Sequence, residues 1–192
     1  PVSRCLSFNS YCPSLLFDLE RAMDTIKAIR ERRSIRKYRV DDVDDEALET
    51  ILQAGRWAPS ASNKQPWHFI VIRNADMRKK LAEIHNYGRF MRESPVVIVV
   101  LGDPSKHPRY YLADPHQAVQ NMLLAAYSLG LSTCWMGVRD TDLEPQFREA
   151  LDIPENLRVI CSVSLGHGDQ ERKSTRFPLE EITSWERYGG KK

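Results

Sequence analysis

Arg32, Arg33, Ser34 and Arg36 place fixed positive charge and one hydroxyl on a single short stretch, Arg32-Arg33-Ser34-Ile35-Arg36-Lys37-Tyr38. Arginine stays charged at any working pH and offers forked donors to phosphate or carboxylate oxygens, while serine adds a directional hydrogen bond. A bound phosphate is one reading of this cluster. Solvated arginines complementing the negative end of a helix are another. Sequence-neutral nucleic-acid binding is a third, opposed by the acidic run Asp41-Asp42-Val43-Asp44-Asp45-Glu46 just downstream.

A second segment, Ala58-Pro59-Ser60-Ala61-Ser62-Asn63-Lys64-Gln65-Pro66-Trp67, is a polar loop whose shape is partly preset by its prolines. The amides of Asn63 and Gln65 match a flat ring bearing both carbonyl and N–H groups; an ordinary solvated loop uses the same residues. In Cys134-Trp135-Met136-Gly137, glycine lets a ligand approach the backbone, and a buried strand end with a packing Trp is the competing reading. Gly166-His167-Gly168, followed by Lys173 and Arg176, offers the second half of an anion site or an ordinary charged loop.

Several chemistries lack their residues. Gly166-x-Gly168 meets Glu171 where a dinucleotide fingerprint needs its third glycine, and there is neither a P-loop nor a G-x-S-x-G elbow. A nicotinamide would therefore be a visiting reductant rather than a resident cofactor. His68, His85, His107, His116 and His167 show no metal-ligand spacing, so no metal is assigned.

The elements that must position these groups belong to one domain. A chain of 192 residues with 42% apolar content can fill one core and would be cramped as two. With 28 basic against 26 acidic residues, the net charge of +2 supplies no long-range field for nucleic acid or an anionic membrane. The longest apolar run, Val96 to Leu101, is too short to cross a bilayer and reads as a buried strand. Cys5, Cys12, Cys134 and Cys161 form no C-x-x-C pair and are expected to be reduced thiols. Polar residues interrupt the apolar ones near the N-terminus, which breaks a secretory h-region, so a cytoplasmic setting is expected.

Residues 1–22 lack periodicity and are expected to form an extension outside the domain, flexible or non-native to it, with 23–192 as the domain itself. Asp24 is expected to cap a helix to about Arg32, and Asp44 or Asp45 a second one carrying Leu48, Ile51, Leu52 and Gly55 and ended by Pro59. A strand is predicted at Phe69–Ile72, a helix opened by Asp76, and a central strand at Val96–Leu101. Asp114 with Pro115 then caps a long helix stopped by Gly130. Strands at 133–138 and 158–165 flank a helix near Leu143–Leu151. This interleaving gives an α/β layered domain, with strand directions left open.

Taken in order, Arg-Arg-Ser-Ile-Arg-Lys-Tyr, Ala-Pro-Ser-Ala-Ser-Asn-Lys-Gln-Pro-Trp, the Asp114 helix ending at Leu129-Gly130-Leu131, and Leu165-Gly166-His167 with a downstream Arg resemble the nitroreductase family of FMN-dependent oxidoreductases over about residues 24–188. The resemblance implies a central mixed β-sheet flanked by helices and a homodimer that exchanges terminal segments around two FMN sites. It places Arg32, Arg33, Ser34 and Arg36 on the FMN phosphate and ring edge, with Arg176 and Lys173 completing the phosphate site. Lys173 and Arg176 stand one residue further apart than the Lys-x-Arg of some members. Pro59, Ser60, Ser62, Asn63 and Gln65 would line ribityl chain and ring from the partner subunit. The backbone of Met136 and Gly137 would lie near flavin N5, and Gly166 and His167 are counted among the cofactor-binding residues. The implied activity is ping-pong transfer from NADH or NADPH to a nitroaromatic, quinone or similar acceptor, with no side chain acting as acid, base or nucleophile. A flavin-binding or storage protein without turnover is the alternative. Acceptor specificity is expected in Tyr87–Ser94 and Lys106–Tyr111.

Overall fold

A computed structural model of the chain describes residues 25–192; the extension at 1–22 and the cap expected at Asp24 lie outside the described residues. Four strands, β1 (Trp67–Ile72), β2 (Val96–Gly102), β3 (Ser132–Gly137) and β4 (Arg158–Gly166), form one sheet in the order β1-β2-β4-β3. All three strand pairings are antiparallel: the connections from β1 to β2 and from β3 to β4 return the chain to the end of the sheet it has just left, whereas the connection through α4 crosses the sheet, so that β3 runs in the direction of β2 with β4 between them. The mixed character implied by the resemblance is thereby corrected for the described residues. Parallel pairing is confined to a single bridge, Ser34 with Thr133.

β2 explains how the layers assemble. Val96, Ile98 and Val100 face one way into a cluster with Ile51, Val119 and Met122, whereas Val97, Val99 and Leu101 face the other way into a cluster with Leu81 and Phe147. A strand apolar on both faces needs cover on both, since side chains alternate along it. Helices α2 (Asp45–Arg56) and α4 (Asp114–Ser128) cover the first face; α3 (Ala75–Ile84) and α5 (Leu143–Ala150) cover the second. The remaining helix, α1 (Thr25–Glu31), lies beside α4, and the Tyr127 hydroxyl donates to Glu31 at 3.2 Å.

Capping follows the sequence at α2, where the Asp44 carboxylate accepts from the Ala47 N–H at 2.7 Å. Two expected caps are corrected. Asn74, one position before α3, accepts from the Met77 N–H at 2.9 Å, and Asp76 sits inside the first turn. Asp114 is the first residue of α4 rather than its cap, and its carboxylate turns away from the helix.

The turn leaving β3 is tied to the start of β4 by Glu144, a buried residue of α5. Its carboxylate accepts from Arg158 Nε at 2.7 Å and Nη2 at 2.8 Å, and from the backbone N–H groups of Val159 and Asp140, each at 3.1 Å. Burial by itself would raise this carboxyl. The Arg158 hydrogen bonds and the two backbone donors outweigh it and hold the group below its ordinary range. Glu144→Ala leaves the Val159 and Asp140 N–H groups without their acceptor and Arg158 with Asp140 alone, at 2.7 Å, so urea unfolding at pH 7 is expected to show a loss on the order of 3 kcal/mol. The folded value is depressed, so the Glu144 contribution is present above the ordinary glutamate pKa of about 4.3 and disappears as pH falls through the folded value. The difference between wild type and variant should therefore narrow in acid.

Candidate functional site

β3 is an edge strand, and its backbone alternates between two partners. Val138, just past the strand, donates to the Ile160 carbonyl at 3.3 Å. Since antiparallel ladders alternate, the N–H and C=O groups of Gly137, Trp135 and Thr133 point off the free edge instead. Two contacts agree with that parity: the Thr133 carbonyl accepts from Ile35 N–H at 3.0 Å, and the Gly137 carbonyl lies 3.1 Å from His85 Nε2.

The basic segment is laid against the beginning of this edge. Ser34 bridges Thr133, Tyr38 bridges Gly168, and the residues between are clamped by Arg39 N–H to the His167 carbonyl and Asp169 N–H to the Lys37 carbonyl, both at 2.9 Å. The buried Tyr38 hydroxyl meets Ser164 Oγ at 2.6 Å and donates to the Ile35 carbonyl at 2.8 Å. Gly166 and Gly168 make this close approach possible. A Cβ on Gly166 would meet Pro95 Cδ at 2.5 Å and Tyr38 Cδ1 at 3.1 Å, and one on Gly168 would meet Ser132 Oγ at 2.5 Å. His167 is directed to the Asp42 carbonyl at 3.2 Å. In this chain the contacts of Gly166 and His167 thus support the arginine segment.

Arg32, Arg33 and Arg176 come together. Burial first, then the charges of Arg33 and Arg176, push the Arg32 guanidinium below its ordinary range. Burial raises the Cys134 thiol against the opposing pull of Arg36, the Ser34 hydroxyl, Arg172 and Arg32, which places these four groups around it. Arg33 donates to the Arg30 and Arg32 carbonyls at 2.6 and 2.9 Å, yet its buried Nε has no partner among the described residues. Among the described residues, no ion pair includes Arg32, Arg33, Arg36, Arg172 or Arg176. Positive charge gathered without an ion pair among the described residues, beside a buried donor, is an arrangement that suits an anion. Lys173 is exposed and stands apart from these contacts.

The polar loop is held elsewhere. Beyond Pro59, Ala61 N–H donates to the Asp114 carboxylate at 3.0 Å, Gln65 N–H to Ser60 Oγ at 3.0 Å, and Lys106 Nζ to the Gln65 carbonyl at 3.3 Å. Ser62, Asn63 and Gln65 all adopt positive φ, at 50°, 54° and 49°. Such a run of left-handed non-glycine residues persists only where surrounding contacts enforce it.

The structure brings the arginines together with the β3 edge, and the polar residues with one another, without joining the two groups. Trp67, where the loop ends, is level with Gly102 and Arg158, whereas Thr133 is level with Leu165 and Val96. The groups occupy diagonal corners of the sheet, roughly 14 Å apart across the strands and roughly 20 Å along them. α4 spans that diagonal, with Asp114 at the loop and Tyr127 beside α1.

The nitroreductase family model matches residues 29–86 and 85–167. The chain belongs to the nitroreductase family. A Methanothermobacter thermautotrophicus protein, provisionally named an NADH dehydrogenase/NAD(P)H nitroreductase, is 43% identical over 148 residues, which cover 76% of this chain and 78% of the relative. A provisionally named nitroreductase from Desulfovibrio desulfuricans, solved in complex with FMN, is 38% identical with a TM-score of 0.75, covering 85% of this chain and 96% of that one. The Vibrio harveyi NADPH:FMN oxidoreductase, solved with NAD+, is 28% identical with a TM-score of 0.78, covering 88% and 79%.

Within this nitroreductase fold, three positions escape a sequence reading. Arg172 joins the cluster, and its one signal is membership of a cation-rich run. Asp114 looks like a cap but serves the loop. His85 carries no signal, because its partner is a carbonyl 52 residues away. Asp114→Ala leaves the Ala61 N–H without its charged acceptor, so a loss of about 1.5–3 kcal/mol in unfolding free energy is expected. Hydrogen exchange should accelerate across residues 60–65 and leave β2 unchanged.

Proposed function

We propose that the β3 edge holds FMN and that this chain is an NAD(P)H-dependent flavin oxidoreductase, working as a homodimer on a small acceptor such as a nitroaromatic or quinone. The carrying observation is the convergence of Arg32, Arg33, Arg36 and Arg176 beside Ser34 with an unpartnered buried Arg33 Nε. That donor set suits a phosphate monoester. When bound, FMN supplies the redox chemistry, accepting hydride equivalents from NADH or NADPH and yielding them to the acceptor.

The chain's own residues bind and orient. Arg32, Arg33, Ser34, Arg36 and Arg176 hold the phosphate, with Arg172 added to the set and Lys173 at its rim. The outward backbone groups of Trp135 and Gly137 give a polar line along β3 for the ring; the Met136 backbone, expected beside flavin N5, is turned toward β4 by the same alternation, and Met136 fixes the line by burying its side chain. Gly166 and His167 hold the arginine segment in place. No side chain is assigned as acid, base or nucleophile. NAD(P)H and then the acceptor occupy the same open side in turn, a ping-pong sequence.

The dimer accounts for the diagonal separation: Pro59, Ser60, Ser62, Asn63 and Gln65 reach the ring of the partner subunit's site. It also gives an occupant to two exposed apolar surfaces. Phe177, Leu179 and Ile182 are 75%, 72% and 68% exposed on a tail whose hydrogen bonds beyond Gln170, among the described residues, are local. A groove of about 450 Å³ lies between α2 and β1, lined in part by Leu52, Trp67 and Phe69. Exposed apolar area on this scale marks an interface. The reading takes 23–192 as one FMN-binding domain, with 1–22 outside it, in the cytoplasm where NAD(P)H is available. Among the described residues no helix is long and apolar enough to cross a membrane.

Purified protein should be a yellow dimer that bleaches anaerobically with NADH or NADPH and regains colour with a quinone; a storage protein would not bleach. Arg36→Ala should weaken FMN binding roughly 10- to 150-fold, about 1.5–3 kcal/mol, in a fluorescence titration. Asn63→Leu should weaken it too, by leaving ring atoms unmatched. Dissociating and mixing these two variants should restore wild-type affinity at about one site in four, because each heterodimer then holds one intact pair of segments. Failure of mixing to restore any site would sink the cross-subunit arrangement.

A further inference from the structure

Gly137 ends β3 without a side chain, so its ψ angle is the least restrained along the edge. Its carbonyl is nevertheless committed, lying 3.1 Å from His85 Nε2. A carbonyl only accepts hydrogen bonds, so Nε2 must carry the proton and Nδ1 must be the bare nitrogen. His85 is 4% exposed, and that Nδ1 is buried with no partner among the described residues. An apolar side chain here would leave no bare nitrogen buried but would take the donor from the Gly137 carbonyl, so the cost of burying Nδ1 is offset only through that one hydrogen bond.

The ring is itself held. His85 follows the last residue of α3 and its N–H donates to the Leu81 carbonyl at 3.0 Å, while Gly88 N–H returns to the His85 carbonyl at 2.7 Å. The imidazole stands edge-on to Phe147, with centroids 6.3 Å apart and planes at 79°. A Cβ on Gly88 would lie 2.9 Å from His85 Cγ, so the turn packs directly on the ring. The same turn continues to Phe90, which lies under the Arg36 guanidinium at 6.0 Å. One short segment thus touches both ends of the β3 edge.

We propose that His85 is a positioning residue of the redox site: by anchoring the Gly137 carbonyl it sets the direction in which the Gly137 N–H leaves β3. The proposal rests on the reading that flavin lies along this edge. A preorganised N–H aimed at a ring atom acts only while its direction is fixed, and small misplacements near a reacting centre lower the rate sharply. His85 touches neither cofactor nor substrate and acts through Gly137.

His85→Leu removes the donor at similar volume, and His85→Gln keeps a side-chain N–H able to reach the same carbonyl. In FMN-free protein, the Gly137 amide cross-peak in a ¹H–¹⁵N spectrum should move in His85→Leu and return toward its wild-type position in His85→Gln. With FMN loaded, both variants should keep Kd within about threefold of wild type, because the arginine cluster is untouched. Anaerobic reduction by NADH or NADPH should slow about tenfold in His85→Leu and recover in His85→Gln. An unmoved Gly137 cross-peak or a wild-type reduction rate in His85→Leu overturns the proposal. Equal loss in both variants with a lowered Tm assigns the ring to packing and overturns it as well. Wild-type protein that takes up no FMN overturns the flavin reading beneath it, an outcome separable from the others because the cross-peak is measured without FMN.

Discussion

A strand with a single neighbour has half of its backbone hydrogen-bonding groups facing away from the sheet, and in β3 that half is the foundation of the site. β4 fixes β3 in register on one side, which determines by parity alone that Thr133, Trp135 and Gly137 face outward. Thr133 uses its carbonyl to dock the arginine segment, and Gly137 uses its own to receive His85. The groups left over form a line of fixed dipoles between a cationic end and a glycine end.

The cationic end would be unstable in isolation, since gathered arginines without ion pairs, two of them half-buried, repel one another. Its backbone is therefore overdetermined. Tyr38 is pinned to Ser164 and Ile35, and Gly166 and Gly168 carry no Cβ where the segment must lie against them. The network around Glu144 plays the corresponding part at the other end of β3, where it joins the turn to the start of β4. Rigidity at both ends makes the edge a template rather than a loop.

Much of this was legible before any coordinates. Val96 to Leu101 read as a doubly covered strand, and alternate residues do enter two separate cores. The arginine cluster and the polar loop stood out because unusual composition survives without knowledge of pairing. Strand direction did not stand out, because helical connections of similar length serve parallel and antiparallel neighbours, and the mixed sheet expected from the resemblance gave way to antiparallel ladders. Asp114 reads as a cap in the sequence because a carboxylate at a helix start looks the same whether it faces its own helix or a loop 53 residues earlier. His85 was invisible for a related reason: a side chain whose partner is a distant backbone carbonyl leaves no pattern in its neighbours.

The left-handed run at Ser62, Asn63 and Gln65 bears on how this protein would respond to engineering. Each non-glycine residue held at positive φ forgoes about 1 kcal/mol or more that glycine would not. A laboratory selection for heat resistance alone would therefore drift toward glycine at these positions, and in doing so would erase the hydroxyl and amides that give the loop its chemistry. On the proposed function, stability and recognition are set against each other in the same three residues, so thermostable variants of this fold are best sought in α2, α3 and α5, away from that loop.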